Sequence, residues 1–247
     1  MKEKILKAFF RGCIVVVMFL CVCILGNGRT VVYAGGLPES DLELNVANKS
    51  YVLYQTEEDY YTLKFDKRLK NMRLTCTSSN KKVVLVAGCY ENDKLKTFLL
   101  FPSKPGKATV TFKAYKKVGK KYKLYKTYKM KITVRKYEKP IKTIKIGNKS
   151  VKLTKSKWYD FSDKNWPAKK KMVISSSKDW KIVSVFVWGY GKNIDYAKEI
   201  IKKPTSTVKL QRASSWTDAS WIIILQNTKT KGQQSITIGY LDEEMYQ

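Results

Sequence analysis

The chain has 247 residues, which is long enough for one large or two small domains. It carries 49 Lys and Arg against 20 Asp and Glu, a formal net charge of +29, while its 44% hydrophobic and 13% aromatic content excludes a disordered polycation. Histidine is absent, which excludes His-ligated metal sites and nucleophile systems of the Ser-His-Asp or Cys-His kind.

Residues 1–34 have the features of a secretory signal peptide. A basic stretch up to Arg11 is followed by a mostly apolar run, 13–25, and the small residue Ala34 comes before Gly35. This order predicts export and cleavage between Ala34 and Gly35. An uncleaved anchor is the alternative, because the uncharged run is close to the shortest length that spans a bilayer. No later segment is apolar enough to span, so we expect a secreted or surface-associated protein of a Gram-positive-like bacterium.

Two cysteines, Cys76 and Cys89, remain after the predicted cleavage. An oxidising compartment permits a disulfide between them. The alternative is a pair of buried thiols that pack as small hydrophobic side chains. The sequence leaves both possibilities open.

An ordered series of matches at an offset of about 100 residues predicts an internal duplication. The tripeptide Asn-Lys-Ser at 48–50 recurs at 148–150, and Met72 recurs as Met172. We therefore divide the chain after residue 34 into two units, 35–138 and 139–247. The predicted boundary is the short segment Tyr-Glu-Lys-Pro that ends at residue 140.

Both units are predicted to be all-β, because short segments rich in β-branched and aromatic residues alternate with clusters of Gly, Pro, Asn, Asp and Ser. The predicted strands of the first unit are 42–46, 51–54, 60–65, 72–77, 83–87, 97–101, 108–115 and 122–134. Those of the second unit are 143–146, 157–161, 172–176, 181–188, 206–211, 220–226 and 235–240. The segment 195–201 is predicted as a helical turn or an irregular loop. The run 221–225 is apolar on both faces, which predicts a central strand.

The first unit resembles the bacterial immunoglobulin-like domains of group 2. The segment 78–83, with sequence SSNKKV, resembles the turn that precedes a core strand in this family, and Gly88 occupies the next turn. The segment 105–111, with sequence PGKATVT, resembles the family's Gly-Ala-Thr strand start. Cys76 stands where the family usually has a core tryptophan. The resemblance implies two tandem Ig-like β-sandwich domains used for spacing, display or binding, without catalytic activity.

Residues 113–136 contain eleven Lys or Arg and no acidic residue. Strand alternation places Lys123, Lys129, Lys131 and Arg135 on one face, a cationic stripe suited to a polyanion. Lys126 then falls on the core side, which predicts a bulge or an edge position there. The alternative is a solvated face whose lysines keep an edge strand from aggregating.

Lysine greatly outnumbers arginine among the basic residues, which disfavours specific recognition of nucleic acid. The predicted partner is an anionic cell-envelope polymer or glycan, held by salt-sensitive attraction. Another surface protein is a further possible partner, and no cofactor is predicted.

All six tryptophans lie in the second unit. The residues at predicted loops or strand ends are candidates for stacking on a sugar: Trp158, Trp188, Tyr190 and Trp216. Trp166 is also at a loop, whereas the neighbours of Trp180 and Trp221 predict core positions. Core packing of all six is the alternative, since tryptophan is highly buried on average.

The acidic residues are sparse, and the sequence has no phosphate-binding glycine loop, metal-ligand spacing or nucleophile elbow, so we predict no enzyme. The predicted function is an exported adhesion or envelope-interaction module. A carbohydrate-binding module centred on the second unit and a purely structural spacer are the alternatives.

Overall fold

The computed structural model describes residues 31–33, 42–55, 60–69, 71–91, 94–154, 158–162, 165–167, 170–191, 194–201, 203–211 and 216–241. Within these ranges the regular structure is β-strand, apart from one 3-10 turn at Lys67–Leu69. This confirms the all-β prediction. No helix in the described ranges is long and apolar enough to cross a membrane. The predicted cleavage site between Ala34 and Gly35 lies outside them.

The first half of the chain contributes two sheets that face each other. Its strands are β1 (Val31–Tyr33), β2 (Glu43–Asn45), β3 (Ser50–Tyr54), β4 (Tyr61–Lys64), β5 (Arg73–Ser78), β6 (Val84–Glu91), β7 (Lys94–Pro102), β8 (Gly106–Val118) and β9 (Lys121–Arg135). Sheet A has the order β1-β6-β7-β4-β2, and sheet B has the order β3-β9-β8-β5. Leu63 and Leu100 of sheet A share one buried cluster with Val110 and Ile132 of sheet B, which makes this half a β-sandwich.

The second half repeats the sandwich. Its strands are β10 (Ile141–Ile146), β11 (Lys149–Ser150), β12 (Trp158–Phe161), β13 (Met172–Ser176), β14 (Trp180–Gly191), β15 (Ile194–Glu199), β16 (Thr207–Leu210), β17 (Trp216–Asn227) and β18 (Gln233–Leu241). Sheet C has the order β11-β10-β13-β16, and sheet D has the order β12-β18-β17-β14-β15. Ile144 and Ile174 of sheet C pack in one cluster with Trp221 and Ile238 of sheet D.

The two halves share one topological feature. In each, the last strand pairs antiparallel with the strand before it and parallel with an early strand: β9 pairs with β8 and β3, and β18 pairs with β17 and β12. The predicted boundary falls in the segment between the end of β9 and the start of β10. The internal duplication stays a prediction.

Three local features differ from the expectations. The segment predicted as a helical turn or loop forms β15, because β14 runs on to Gly191 and gives β15 an antiparallel partner. The two-residue strand β11 was missed. β1 lies within the predicted signal peptide and pairs parallel with β6, so cleavage after Ala34 would remove this edge strand. The prediction of a central strand at 221–225 is confirmed, since β17 lies between β14 and β18.

The two sandwiches pack directly against each other. Tyr54 of β3 is fully buried in the hydrophobic cluster of the second half, where its ring lies 5.0 Å from that of Trp180. Ile224 of β17 is buried in the cluster of the first half. The Tyr61 hydroxyl donates a hydrogen bond of 2.7 Å to the carbonyl oxygen of Gln233, which joins sheet A to β18.

Candidate functional site

The outer surface of the β8–β9 hairpin carries a regular row of lysines and threonines. Alternate residues of both strands, among them Val110, Phe112, Met130 and Ile132, are buried in the sandwich. The intervening residues therefore point away from the core. Gly119, the first residue of the two-residue loop that closes the hairpin, has a φ of 59°, a conformation that favours glycine.

On this outer surface every lysine lies opposite a threonine. The cross-strand pairs are Lys107–Thr133, Thr109–Lys131, Thr111–Lys129 and Lys113–Thr127. We call these eight residues the lysine face. Lysines that lie directly opposite each other repel, so the alternation between the strands accommodates four positive charges on one surface. No carboxylate in the described part of the chain forms an ion pair with Lys107, Lys129 or Lys131, all of which are exposed.

Lys123 does not belong to the lysine face, which corrects the expectation from strand alternation. Ala114 pairs with Lys126 and Tyr115 pairs with Leu124, so Tyr125 is an extra residue, a β-bulge. The bulge reverses the alternation, and Lys123 pairs with Lys116 on the opposite surface of the hairpin. The predicted irregularity beside Lys126 is therefore present. Leu124, which unbroken alternation would place toward the core with Lys126, is 56% exposed.

Arg135 lies at the interface between the two halves rather than in the row of lysine–threonine pairs. Its guanidinium is 3.5 Å from the Glu138 carboxylate, and it pairs in the sheet with buried Tyr54. Glu138 also accepts a hydrogen bond of 3.3 Å from the side chain of Asn227 and offers its carbonyl to Gln234 at 2.9 Å. These contacts give Arg135 a structural role beside its charge.

A groove of about 890 Å³ runs between the lysine face and the turn that connects β17 to β18. Lys107 and Lys131 line one side, Lys231 lines the other, and hydroxyl groups such as Ser50 and Thr230 lie between them. The groove was missed by sequence reasoning, because it forms only when the second half packs onto the first.

The turn that carries Lys231 is held by several local contacts. The Asn227 side-chain oxygen accepts hydrogen bonds of 3.0 Å from the backbone nitrogens of Lys229 and Thr230. The Thr230 hydroxyl lies 2.8 Å from that of Tyr54. Lys231 itself has a φ of 62°, a backbone conformation that residues other than glycine rarely adopt. These contacts hold the backbone of Lys231 at the edge of the groove.

Three of the six tryptophans are core residues. Trp180 and Trp221 are buried, as predicted. Trp166, at a predicted loop, is also buried, because its ring lies 4.7 Å from that of Trp221 and its indole N–H donates to the Lys170 carbonyl at 2.8 Å. This aromatic pair fills the second sandwich.

The four sugar-stacking candidates have side chains outside the described part of the structure. In the backbone, Trp188 pairs with Ser220, Tyr190 with Asp218, Trp216 with Gly191 and Trp158 with Thr237. Three of them therefore lie toward one end of the β14–β17 pair, and Trp158 lies on the edge strand β12. Their role in glycan binding stays a prediction.

Cys76 and Cys89 are both buried, and no disulfide joins them. Cys76 lies on β5 of sheet B, whereas Cys89 lies on β6 of sheet A. Burial raises the pKa of the Cys76 thiol to about 12, so it stays protonated at neutral pH. Cys76 pairs with Phe112, whose ring is 5.2 Å from that of Phe65, so aromatic rings pack beside Cys76.

No family model and no curated protein matches the chain. Among solved structures, the cysteine protease inhibitor EhICP2 from Entamoeba histolytica matches 38% of this chain and 94% of its own at 11% identity, with a TM-score of 0.28. Domains 5-6 of the S-layer protein SbsC match 79% of this chain and 95% of their own at 13% identity, TM-score 0.27. A chimeric titin Z1Z2 matches 79% of this chain and 93% of its own at 10% identity, with a TM-score of 0.25.

Proposed function

We propose that this protein is an exported, non-catalytic interaction module of the bacterial Ig-like group 2 type, and that its lysine face binds an anionic polymer of the cell envelope. The observation that carries the proposal is the row of four lysine–threonine pairs on the outer surface of the hairpin. Each pair offers an ammonium group and a hydroxyl group, which together can donate hydrogen bonds to phosphate or carboxylate oxygens.

A polymer fits this surface better than a small anion does. Lys129 and Lys131 are two residues apart on one strand, a separation of about 7 Å, so the charges form a track rather than a single cluster. The groove continues the track past Lys107 and Lys131 to Lys231 of the other half. Lysine is a compact point charge that attracts anionic groups without requiring one planar geometry, which suits a flexible polymer.

The proposal is tested with a triple variant, Lys107→Gln, Lys129→Gln and Lys131→Gln, in co-sedimentation with anionic cell-wall sacculi across a salt series. The matched control is Lys142→Gln, Lys145→Gln and Lys209→Gln, which removes three exposed lysines from sheet C. We expect the lysine-face variant to reduce the slope of log affinity against log salt by about two to three, and the control to reduce it by less than one.

Equal losses in the two variants would contradict the proposal, because diffuse net charge would then explain the binding. Binding that survives high salt would instead favour a carbohydrate-binding module that uses Trp158, Trp188, Tyr190 or Trp216, since stacking on sugar rings is insensitive to ionic strength. Absence of binding at low salt would contradict envelope retention and leave a structural spacer.

A further inference from the structure

Large apolar side chains are exposed almost exclusively at one place in the described structure. Val118 is 46% exposed, Tyr122 49%, Leu124 56% and Tyr125 57%, and all four lie at the far end of the β8–β9 hairpin. The fifth such residue is Ile200, at 39%. We call residues 116–126 the hairpin tip. A concentration of exposed apolar side chains on a surface usually marks an interaction site.

The tip is exposed because the neighbouring strands end before it. β5 pairs with β8 only as far as Tyr115, where its partner is Arg73. On the other side, β3 pairs with β9 only from Lys131 onward. The tip is therefore a two-stranded ribbon without a second sheet behind it among the described residues, and both of its surfaces are open.

The charges of the tip have one sign. Six lysines are interspersed among the apolar residues of the ribbon, at positions 116, 117, 120, 121, 123 and 126, and no acidic residue occurs within 113–136. Arg73 of the adjacent strand lies over the Tyr122 ring at 5.5 Å from its centroid, and Lys126 lies over Tyr128 at 5.0 Å. The exposed Tyr122 ring and the half-buried Tyr128 ring next to the tip thus each have a cation over them.

We propose that the hairpin tip docks into the headgroup region of an anionic lipid bilayer. Tyrosine has an apolar ring and a polar hydroxyl, a combination that is favourable at the boundary between headgroups and acyl chains. Lysine can bury its aliphatic stem in the same layer while its ammonium group contacts anionic headgroups. An anionic polymer in water would engage the lysines but would leave Leu124 and Val118 exposed, so the apolar residues favour the bilayer.

The insertion is shallow. The outer edges of the two-stranded ribbon carry backbone N–H and C=O groups that have no strand partner in the described part of the chain, and these groups are costly to move into hydrocarbon. The side chains of Tyr122, Leu124 and Tyr125 therefore enter the interface while the backbone stays among the headgroups. The bilayer site is separate from the lysine face, whose residues lie closer to the body of the sandwich.

The test compares the full chain with the variant Tyr122→Ser, Leu124→Ser, Tyr125→Ser in co-sedimentation with vesicles of phosphatidylcholine, with or without phosphatidylglycerol. All lysines remain in this variant, and the N-terminal segment is the same in every protein. Ile200→Ser is the control for loss of an exposed apolar side chain elsewhere. At about 150 mM salt we expect the tip variant to bind anionic vesicles about tenfold more weakly, and the control to bind as wild type does.

Wild-type affinity in the tip variant would overturn the bilayer proposal and leave lysine electrostatics as the source of binding. Equal binding of the wild type to neutral and anionic vesicles would overturn it as well. If the wild type is a dimer in the absence of vesicles and the tip variant is a monomer, the tip binds a second copy of the chain instead. The lysine-face variant should keep the apolar contribution to vesicle binding, so failure of this proposal is distinguishable from failure of polymer binding.

Discussion

Gly232 lies where the turn of the second half touches the backbone of the first. A Cβ atom at this position would be 2.7 Å from the Val52 carbonyl oxygen and 2.7 Å from the Tyr54 ring. Gly232→Ala should therefore lower the free energy of unfolding by about 1–3 kcal/mol, because neither the paired strand backbone nor the buried ring can yield easily. The measurement is the urea midpoint at neutral pH.

The matched control for this substitution is Gly239→Ala. A Cβ atom there would also meet an atom at 2.7 Å, but that atom is the side-chain oxygen of Asp160, which can rotate away. We expect a loss of less than about 1 kcal/mol. Similar losses in the two variants would show that the contact with Val52 is not what makes position 232 sensitive.

The buried thiol of Cys76 predicts a loss of stability at alkaline pH. Its pKa is raised from an ordinary value near 9 to about 12 in the folded chain. The stabilising contribution is fully present below pH 9 and is lost as the pH rises through 12, because the unfolded thiol releases its proton first. When the pH is raised from 8 to 10.5, the free energy of unfolding of Cys76→Ala should therefore fall by about 2 kcal/mol less than that of the wild type.

The comparison is made from urea unfolding at the two pH values. All other ionisable groups are the same in both proteins, so the difference between the two pH dependences isolates the thiol. Alkylation of Cys76 in urea without a reductant checks that the thiol is free. An equal pH dependence in the two proteins would contradict the raised pKa.

At the scale of elements, the hairpin has two parts of different stability. The part of β8 that includes Val110 and Phe112 is flanked by β5 and β9, whereas the tip has only its own two strands. Amide hydrogens of residues 116–124 should therefore exchange much faster than those of residues 108–114. Hydrogen exchange followed by mass spectrometry of overlapping peptides measures the difference. Uniform protection along the hairpin would mean that the tip is covered by another surface.

The strands were predictable because their burial follows a period of two. In the β8–β9 hairpin, Val110 and Met130 are buried where the alternation of the sequence places them. The sequence predicted a bulge or an edge position at Lys126, but it could not show that Tyr125 is the extra residue, because that depends on which residues of β8 and β9 pair. This one extra residue moved Lys123 to the other surface. The lysine–threonine pairs could not be predicted either, because they depend on the register between β8 and β9.

At the scale of the whole molecule, the interface between the two sandwiches could not be predicted from the sequence. From the sequence, Tyr54 would be expected in the core of the first sandwich, yet its ring is buried in the second. The apolar run of β17 predicted burial on both faces, but the second face is covered by the first half of the chain rather than by a layer of its own. Contacts between distant segments decide both features, and they also create the groove beside Lys231.

Because each buried cluster includes a residue from the other half, the two sandwiches should unfold together. Ile224→Ala removes a side chain of β17 from the cluster of the first half and should cost about 2–4 kcal/mol. Ile222→Ala is the matched control: it lies two residues away on the same face of β17, is only half-buried and should cost about 1 kcal/mol.

Two probes separate the halves, since tryptophan fluorescence reports on the second alone and far-UV circular dichroism reports on both. In the wild type the two unfolding curves should coincide, because buried contacts across the interface make the transition cooperative. Ile224→Ala should lower the midpoint in both probes, although the contacts it removes lie in the half without tryptophan. Separate transitions in the wild type, or a fluorescence midpoint unchanged by Ile224→Ala, would mean that the sandwiches are independent and that the groove between them is not held in a fixed shape.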